Sequence, residues 1–549
     1  MKRCTLGQYE QEYRDRHLLH GVVARWAALK PQATALVNHN RGRAVSWADF
    51  EDITAGVAAG LLRLGFRKGD FLAASLPFLT EHVFLEYACF RIGVIHAPLD
   101  LRLRPAEVLR CLGQINPKGF AFLGKTPAAD FRELGLEVKR QCASVEHLIQ
   151  FSPPEEAVDG AFSFQRLAAG AGRAPASDEV REQDPAQVIF TTGSTGSPKP
   201  ALLSHRNITC QNLCLGTAFG FGEDTRLLVN LPPSHVGGQA EALMTTLFWG
   251  GSAILLEVFD PTRSLEAIEA HRANILGQIP AMFNYEWRLA DYDRYDLSSL
   301  EIAIYGGQQV PRQFLERLSR MAPRIATGLG LTESAGFCTY TPIGGSVDEV
   351  LAGIGHDMPI YRMSIRAPMR PDGSAGQVLP PGEVGHICFE GPQTFLGYVS
   401  DDEATATAIS RDGFLYTGDV GACDESGLHF SGRSKWIIKP AGHQVFPGDV
   451  ESHLCTFEEK VAACAVVGVE HPLLSEAIVA FVEKKAGVQL TAAELRRHAK
   501  GMASFMRPLH YVILEPGAIP LNRAAKSDYV RLRESAEAEA EKLGWRRRV

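Results

Sequence analysis

The sequence holds no apolar run long enough to span a bilayer. Its longest uncharged stretch of note, Ala242 to Leu256, is closed off by Glu241 and Glu257 and broken by two glycines. That is short of the ~20 residues a membrane helix needs. The N-terminus lacks the apolar segment of a secretory signal, since Met1-Lys2-Arg3-Cys4 runs on to Glu10, Glu12 and Asp15. A cytoplasmic location is therefore expected. Cysteine is sparse: 11 in 549 residues, an odd number, with Cys210 and Cys214 at helical spacing and no second pair beside them. Neither a disulfide scaffold nor a four-cysteine zinc site fits, which leaves reduced, structural thiols. Charge of one sign is lacking too. Lys and Arg number 56 against 63 Asp and Glu, a net charge of −7, so no basic field seeks nucleic acid. Internal repeats of solenoid length are absent.

What is present is ordinary globular composition, 45% hydrophobic and 22% charged, in a chain too long for one core. Apolar runs alternate between two periods. Leu18 to Leu29, Thr54 to Leu64 and Phe84 to Gly93 read as helices, with Ser46-Trp47-Ala48-Asp49 as a helix start. Phe71 to Leu76, Val94 to Leu99, Leu227 to Leu231, Ser252 to Leu256, Ile275 to Gln278 and Ile302 to Tyr305 read as buried strands. Such alternation predicts an α/β fold with largely parallel sheets. Residues 151–186 read as a loose connection. From about Gly353, short strands with Gly-rich turns suggest a small β-barrel, and a compact α+β segment follows Gly432.

Val188-Ile189-Phe190 reads as a strand that runs into Thr191-Thr192-Gly193-Ser194-Thr195-Gly196-Ser197-Pro198-Lys199. The glycines let successive backbone N–H groups turn into one concavity, an anion nest. Hydroxyls and one ammonium add donors for phosphate oxygens. A Walker A loop is excluded, because Pro198 and Pro200 flank Lys199 where glycine and a hydroxyl belong. No G-x-S-x-G elbow exists either. Taken alone, the stretch also reads as a solvated Gly/Ser turn.

This string resembles the phosphate loop of the adenylate-forming superfamily, which includes acyl-CoA synthetases, nonribosomal-peptide adenylation domains and luciferases. The resemblance recurs in order along the chain. Pro232-Pro233-Ser234-His235-Val236-Gly237-Gly238 resembles P-x-x-H-x-x-G, and Tyr305-Gly306-Gly307-Gln308-Gln309-Val310-Pro311 resembles G-G-x-x-x-P. Gly330-Leu331-Thr332-Glu333 resembles G-x-T-E, and Tyr416-Thr417-Gly418-Asp419 resembles the family's T-G-D. Gly432-Arg433-Ser434-Lys435 resembles the hinge segment, and Pro520 to Lys526 the terminal lysine loop. The resemblance implies a large N-terminal domain over 1–434, including the small β-barrel, and a small mobile α+β domain over 435–549 that turns about Lys435.

By the same resemblance, Thr191, Thr192, Gly193, Ser194, Thr195, Gly196 and Lys199 hold the ATP phosphates. Gly306, Gly307, Gln308, Gly328, Leu329 and Gly330 surround the nucleotide. Thr332 touches the α-phosphate, and Glu333 holds Mg²⁺, a hard cation that takes carboxylate and phosphate oxygens. Asp419 accepts the ribose hydroxyls with Arg433 beside it, and Lys526 bridges carboxylate and phosphate. His235, Val236, Gly237, Gly238, Tyr305, Gly306 and Ser334 face the acyl substrate. Each position has a plainer reading: a helix cap for Thr332-Glu333, an Asx turn for Asp419, a core histidine for His235, surface charges for Arg433 and Lys526. The chain also departs from the family pattern, with Pro200 for glycine, Thr327 for asparagine, Leu329 for an adenine-stacking aromatic, Ala525 for glycine and Trp436 for an acid.

The implied function is an AMP-forming carboxylate–CoA ligase using ATP, Mg²⁺ and coenzyme A. The expected acyl lining carries no Lys or Arg for a second carboxylate and no Asp for an α-amino group. That points to an apolar aliphatic or aromatic acid. Two other readings stay open: an adenylating enzyme that loads the phosphopantetheine of a separate carrier protein, and a degenerate nucleotide-binding regulator. A homodimer is the family-level expectation.

Overall fold

The structure, a computed structural model, describes residues 2–127, 129–169, 172–191, 198–522 and 526–545. By compactness the chain forms two units, Met1–Met363 with Phe389–Leu415, and Ser364–Cys388 with Tyr416–Val549. The division at Lys435 concerns which part would turn and is a separate matter from compactness.

The first unit is built on two sheets. One has eight strands in the order Gly397–Tyr398, Lys199–Ser204, Pro185–Thr191, Ile95–Pro98, Phe71–Ser75, Gly119–Leu123, His147–Phe151 and Ala161–Ser163. It is parallel except where Pro185–Thr191, Lys199–Ser204 and Gly397–Tyr398 meet antiparallel. The other runs Arg324–Ala326, Ile302–Tyr305, Ile275–Gln278, Arg226–Val229, Ser252–Leu255, Thr34–Asn38 and Arg43–Ser46. Only its last pair is antiparallel. The second unit holds most of a four-stranded sheet, Arg362–Arg366, Gly385–Glu390, Leu415–Asp424 and Gly427–Arg433, where the small β region was expected. It also holds a three-stranded sheet of Val461–His471, Ser475–Lys484 and His510–Leu514.

Local chemistry explains the elements. The helix Trp47–Arg63 begins at Ser46, whose Oγ accepts from the Asp49 N–H at 3.1 Å. The helix Thr80–Ile92 is buried at every position but Glu81 and ends at Gly93, where φ is +73°. A helix apolar all round is a core helix, yet this one carries His82 and Glu86. Both find partners in the core: His82 Nε2 meets His96 Nε2 at 3.2 Å, and Gln187 Nε2 donates to Glu86 Oε1 at 2.6 Å, while Glu86 Oε2 has no hydrogen bond among the described residues. The reading of residues 151–186 as loose needs correction. Ala161–Ser163 pairs parallel with His147–Phe151 and runs into the helix Phe164–Ala169. Three residues are too short a strand to leave a period in sequence.

Among the described residues no helix is long and apolar enough to cross a membrane. All eleven cysteines are free thiols.

Gly216, inside the helix His205–Phe219, shows how tightly the first unit packs. A Cβ there would lie 1.8 Å from the Trp249 indole nitrogen, which donates to Asn212 O at 3.0 Å. Gly216→Ala gains ~1 kcal/mol of helix propensity but overpacks the indole, which costs ~1–3 kcal/mol. The expected outcome is a net loss of stability in denaturant unfolding; an unchanged or raised midpoint would refute the clash.

Candidate active site

Four parallel strands carry three of the motifs to one edge. Leu228 pairs with Leu276, Gln278 with Tyr305, and Ile304 with Ala326. The chain therefore leaves the carboxyl ends of neighbouring strands as Asn230 to Gly238, Gln278 to Pro280, Gly306 to Pro311 and Thr327 to Glu333. In open parallel sheets, ligands bind beyond those ends.

The two hairpins that frame this edge come together at Glu333. Thr191 pairs with Lys199 on either side of the stretch expected to hold phosphate. Thr192, Gly193, Ser194, Thr195 and Gly196 lie outside the described residues. Tyr398, on the strand beside Lys199–Ser204, donates its hydroxyl to Glu333 Oε1 at 2.6 Å, and the Lys199 ammonium sits 5.2 Å from the Tyr398 ring centre. The Phe395 N–H donates to Glu333 O at 2.9 Å, so backbone and side chain are both held. Tyr398 was missed in the sequence, where it stands outside every motif. Pro200 is accommodated here. Its carbonyl accepts from the Val399 N–H at 2.9 Å. In an extended strand N–H and C=O face the same side, so its missing N–H falls on the side of the two-residue partner strand.

His235 begins a tight turn, its N–H donating to Pro232 O at 3.1 Å, while its Nδ1 accepts from the Gly237 N–H at 3.0 Å. That bond leaves Nε2 as the protonated ring nitrogen in the neutral form. Val236 is buried, and Gly237–Met244 continues as a π-helix, a geometry concentrated at functional sites. Gly238 is obligatory, since a Cβ would stand 2.5 Å from Pro232 O. The π-helix also brings in Glu241, a half-buried carboxylate absent from the sequence-derived set.

The segment Thr327 to Gly330 is fixed by its backbone. A Cβ on Gly328 would stand 1.8 Å from Thr339 O. Leu329 accepts from the Cys338 N–H at 2.8 Å and leaves its side chain half-buried. Thr327 is buried, and its hydroxyl donates to Tyr305 O at 2.8 Å. Gly307 has φ +95°, Gln308 is exposed, and Gly306 lies against Phe337. Gly330–Leu331 pairs antiparallel with Gly336–Phe337, and the turn between them holds Thr332, Glu333 and Ser334. The Ser334 hydroxyl donates within that turn, to Gly336 O at 2.7 Å.

In the second unit, Asp419 pairs across the strands with Arg433, whose Nε lies 3.0 Å from Asp419 Oδ1. The carboxylate is buried and the guanidinium half-exposed. The Ser434 hydroxyl donates to Gly418 O at 3.0 Å. Desolvation, then the neighbouring Arg433, brings the Lys435 ammonium down to about 8. Trp436 stacks on Tyr529 at 5.7 Å, and Tyr529 donates to Glu451 at 2.7 Å. Lys526 is half-buried, its carbonyl accepting from the Asn522 N–H at 2.7 Å. Residues 523–525 lie outside the described set. A surface concavity of about 520 Å³ in the first unit is lined by Glu51, Arg91, Arg173 and their neighbours, and by none of these residues.

The AMP-binding enzyme profile matches residues 23–399, and that of the AMP-binding enzyme C-terminal domain matches 449–526. The chain belongs to the AMP-binding enzyme family. A feruloyl-CoA synthase from Amycolatopsis is 31% identical over 86% of this chain and 89% of its own. An indenyl-propanoyl:CoA ligase of Mycobacterium tuberculosis is 30% identical over 92% and 96%. The ATP-bound structure of MatB from Rhodopseudomonas palustris superposes with a TM-score of 0.80 at 27% identity, covering 95% of this chain and 99% of that one. The chain is an AMP-forming acyl-CoA ligase, an acid–thiol ligase whose reaction draws on ATP, Mg²⁺ and CoA.

The ligase's residues suit that metal. No group of three or more acidic, His or Cys side chains that could hold an ion exists among the described residues. Mg²⁺ in nucleotide enzymes takes one or two carboxylates and completes its shell with phosphate and water. Glu333 offers one such carboxylate, oriented by Tyr398.

Behind the strand ends lies a buried network that the sequence concealed. Ser264 Oγ donates to Glu286 Oε1 at 2.5 Å, Gln278 Nε2 to Glu286 Oε2 at 2.7 Å, and Asn230 Nδ2 to Gln278 Oε1 at 2.7 Å. It ties the ends of two strands that deliver the site. Burial pushes the Glu286 carboxyl from an ordinary 4.5 up to about 7. Between those values the folded chain binds more protons than the unfolded one, so this group's contribution to stability falls as pH rises from about 4.5 to 7. In Glu286→Gln that slope should vanish. Melting temperature against pH is the measurement; parallel curves for wild type and variant would refute the raised carboxyl.

Proposed function

We propose that the ligase activates an apolar aliphatic or aromatic carboxylic acid as its acyl-adenylate and then transfers the acyl group to CoA. The observation that carries this reading is the convergence of His235, Tyr305, Gly306 and the Gly330–Phe337 hairpin at the carboxyl edge of one parallel sheet, with no Lys or Arg among them. Relatives named for feruloyl-CoA and 4-coumarate–CoA formation support an aromatic acid.

The residue roles follow from the geometry and the family pattern. Lys199, with Thr191 and the loop after it, steadies the leaving pyrophosphate. Glu333 would hold Mg²⁺, which when bound screens the negative charge of the phosphates. Thr332 meets the α-phosphate, and Asp419 takes the ribose hydroxyls, a suitable task for an acceptor-only group. The carboxylate attacks the α-phosphorus and pyrophosphate leaves; the CoA thiol then attacks the acyl carbon and AMP leaves. Lys526 lowers the repulsion between two anions in the first step. Its loop then gives way by a turn about Lys435 so that the thiol can enter.

ATP–pyrophosphate exchange across a panel of acids tests the reading as a whole. Lys526→Ala should cut adenylate formation at least ~10²-fold, the scale of one lost charge-stabilising group. With chemically prepared acyl-adenylate, the same variant should form thioester at nearly the wild-type rate in single-turnover kinetics. Equal slowing of both steps would make Lys526 structural.

A further inference from the structure

Trp436 stands directly after the expected hinge, where the family pattern has an acid. The structure gives its indole two partners within the second unit. The Lys435 ammonium lies 4.6 Å from the Trp436 ring centre, and Trp436 stacks on Tyr529 at 5.7 Å with 30° between the ring planes. A cation over an indole and an offset ring beside it are both attractive arrangements. An acid at this position would pair with the ammonium but could not stack on Tyr529.

Tyr529 is itself anchored. Its hydroxyl donates to Glu451 Oε1 at 2.7 Å, and the same oxygen accepts from the Val466 N–H at 2.7 Å. Glu451 lies on the helix Pro447–Cys455 and Val466 on the strand Val461–His471. Tyr529 also opens the helix Tyr529–Lys542, whose cap is Asp528, with its carboxylate accepting from the Arg531 N–H at 3.2 Å. The ring is thus held by a carboxylate at its tip, by a capped helix at its base and by the indole against its face.

Lys526 precedes Tyr529 in the same ordered stretch. The Asp528 N–H donates to Pro520 O at 2.7 Å, Leu521 bridges Ser527 antiparallel, and the Lys526 N–H donates to Asn522 Oδ1 at 3.1 Å. These bonds draw the arms 520–522 and 526–528 together, so the pair moves as one piece. Its two ends set where it stands. One is Ile519, whose N–H donates to Glu483 Oε1 at 2.5 Å on the strand Ser475–Lys484. The other is Tyr529, against Trp436.

We infer that Trp436 is a positioning residue for adenylate formation: through Tyr529 it fixes where the Lys526 loop stands relative to Lys435. A turn at Lys435 then carries the loop with it instead of leaving the loop to find its own place. The inference rests on the roles proposed above for Lys435 and Lys526 and adds the link between them. Trp436 acts through Tyr529 and touches no reacting atom in this assignment.

The two half-reactions, followed separately in single turnover, test it. The first uses Mg·ATP with whichever of ferulic, 4-coumaric, phenylpropionic and octanoic acids exchanges pyrophosphate fastest. The second uses the chemically prepared adenylate of that acid with CoA. Trp436→Leu should slow adenylate formation about fivefold or more, the scale of one lost aromatic pair and its cation, while thioester formation stays near the wild-type rate. Trp436→Phe keeps a ring and should recover most of the loss. Tyr529→Leu removes the stack from the other side and decides the matter if Trp436→Leu does not fold. The double variant should be no slower than the slower single one, because contacting groups that act as a unit are not additive. Hydrogen exchange gives a readout apart from turnover: peptides covering 520–528 should exchange faster in Trp436→Leu, and those covering Ser475–Lys484 should not. Equal slowing of both half-reactions, additive losses or unchanged exchange over 520–528 overturns the inference. Lys526→Ala is the reference. If it slows adenylation and neither leucine variant does, this inference alone falls; if it leaves adenylation intact, or no acid exchanges, the roles proposed above fall and the inference with them.

Discussion

The parallel pairing of Arg226–Val229, Ile275–Gln278, Ile302–Tyr305 and Arg324–Ala326 is the constraint on which the site depends. Parallel strands all end at the same edge, and each connection must return through a helix before the next strand begins. Segments separated by tens of residues therefore emerge side by side. A one-residue slip in this register would turn every side chain at the edge to the opposite face. The buried Asn230, Ser264, Gln278 and Glu286 network works on the same strands, replacing water for polar groups that burial would otherwise leave unpaired.

Around that edge, function is carried as much by missing atoms as by present ones. Gly238 lets the His235 turn close on Pro232, Gly328 lets the backbone pass Thr339, and Gly336 leaves room against Glu241 and Gln211. Gly238 and Gly328 were among the residues the family resemblance singled out and Gly336 was not, and only contact distances say which carbonyl or side chain excludes a Cβ. The contact between Glu333 and Tyr398 is of another kind. It joins the edge strand of the eight-stranded sheet to the turn of a separate two-stranded hairpin, and it orients a carboxylate whose Coulomb influence matters most where water is excluded.

Departures from the family pattern turn out to be local substitutions with local support. Pro200 sits where its absent N–H faces only a two-residue strand. Thr327 spends its hydroxyl on the Tyr305 carbonyl, a link between adjacent strand ends. Trp436 stacks on Tyr529 at the start of the last helix, so an aromatic contact stands where a charge is usual. None required a new backbone path, which is why the ordered motifs remained readable despite them.

Long apolar strands, helix starts such as Ser46 and the ordered glycine motifs could be read from the chain alone, because backbone geometry and periodicity are local properties. The sequence by itself determined the α/β class and the reaction family. The short strand Ala161–Ser163, the π-helix, and the partners Tyr398 and Glu286 were decided only by tertiary structure. None of them leaves a periodic signature, and each acquires its role from a neighbour far away in sequence. A carboxylate inside a helical stretch reads as a solvated charge until the fold shows what faces it.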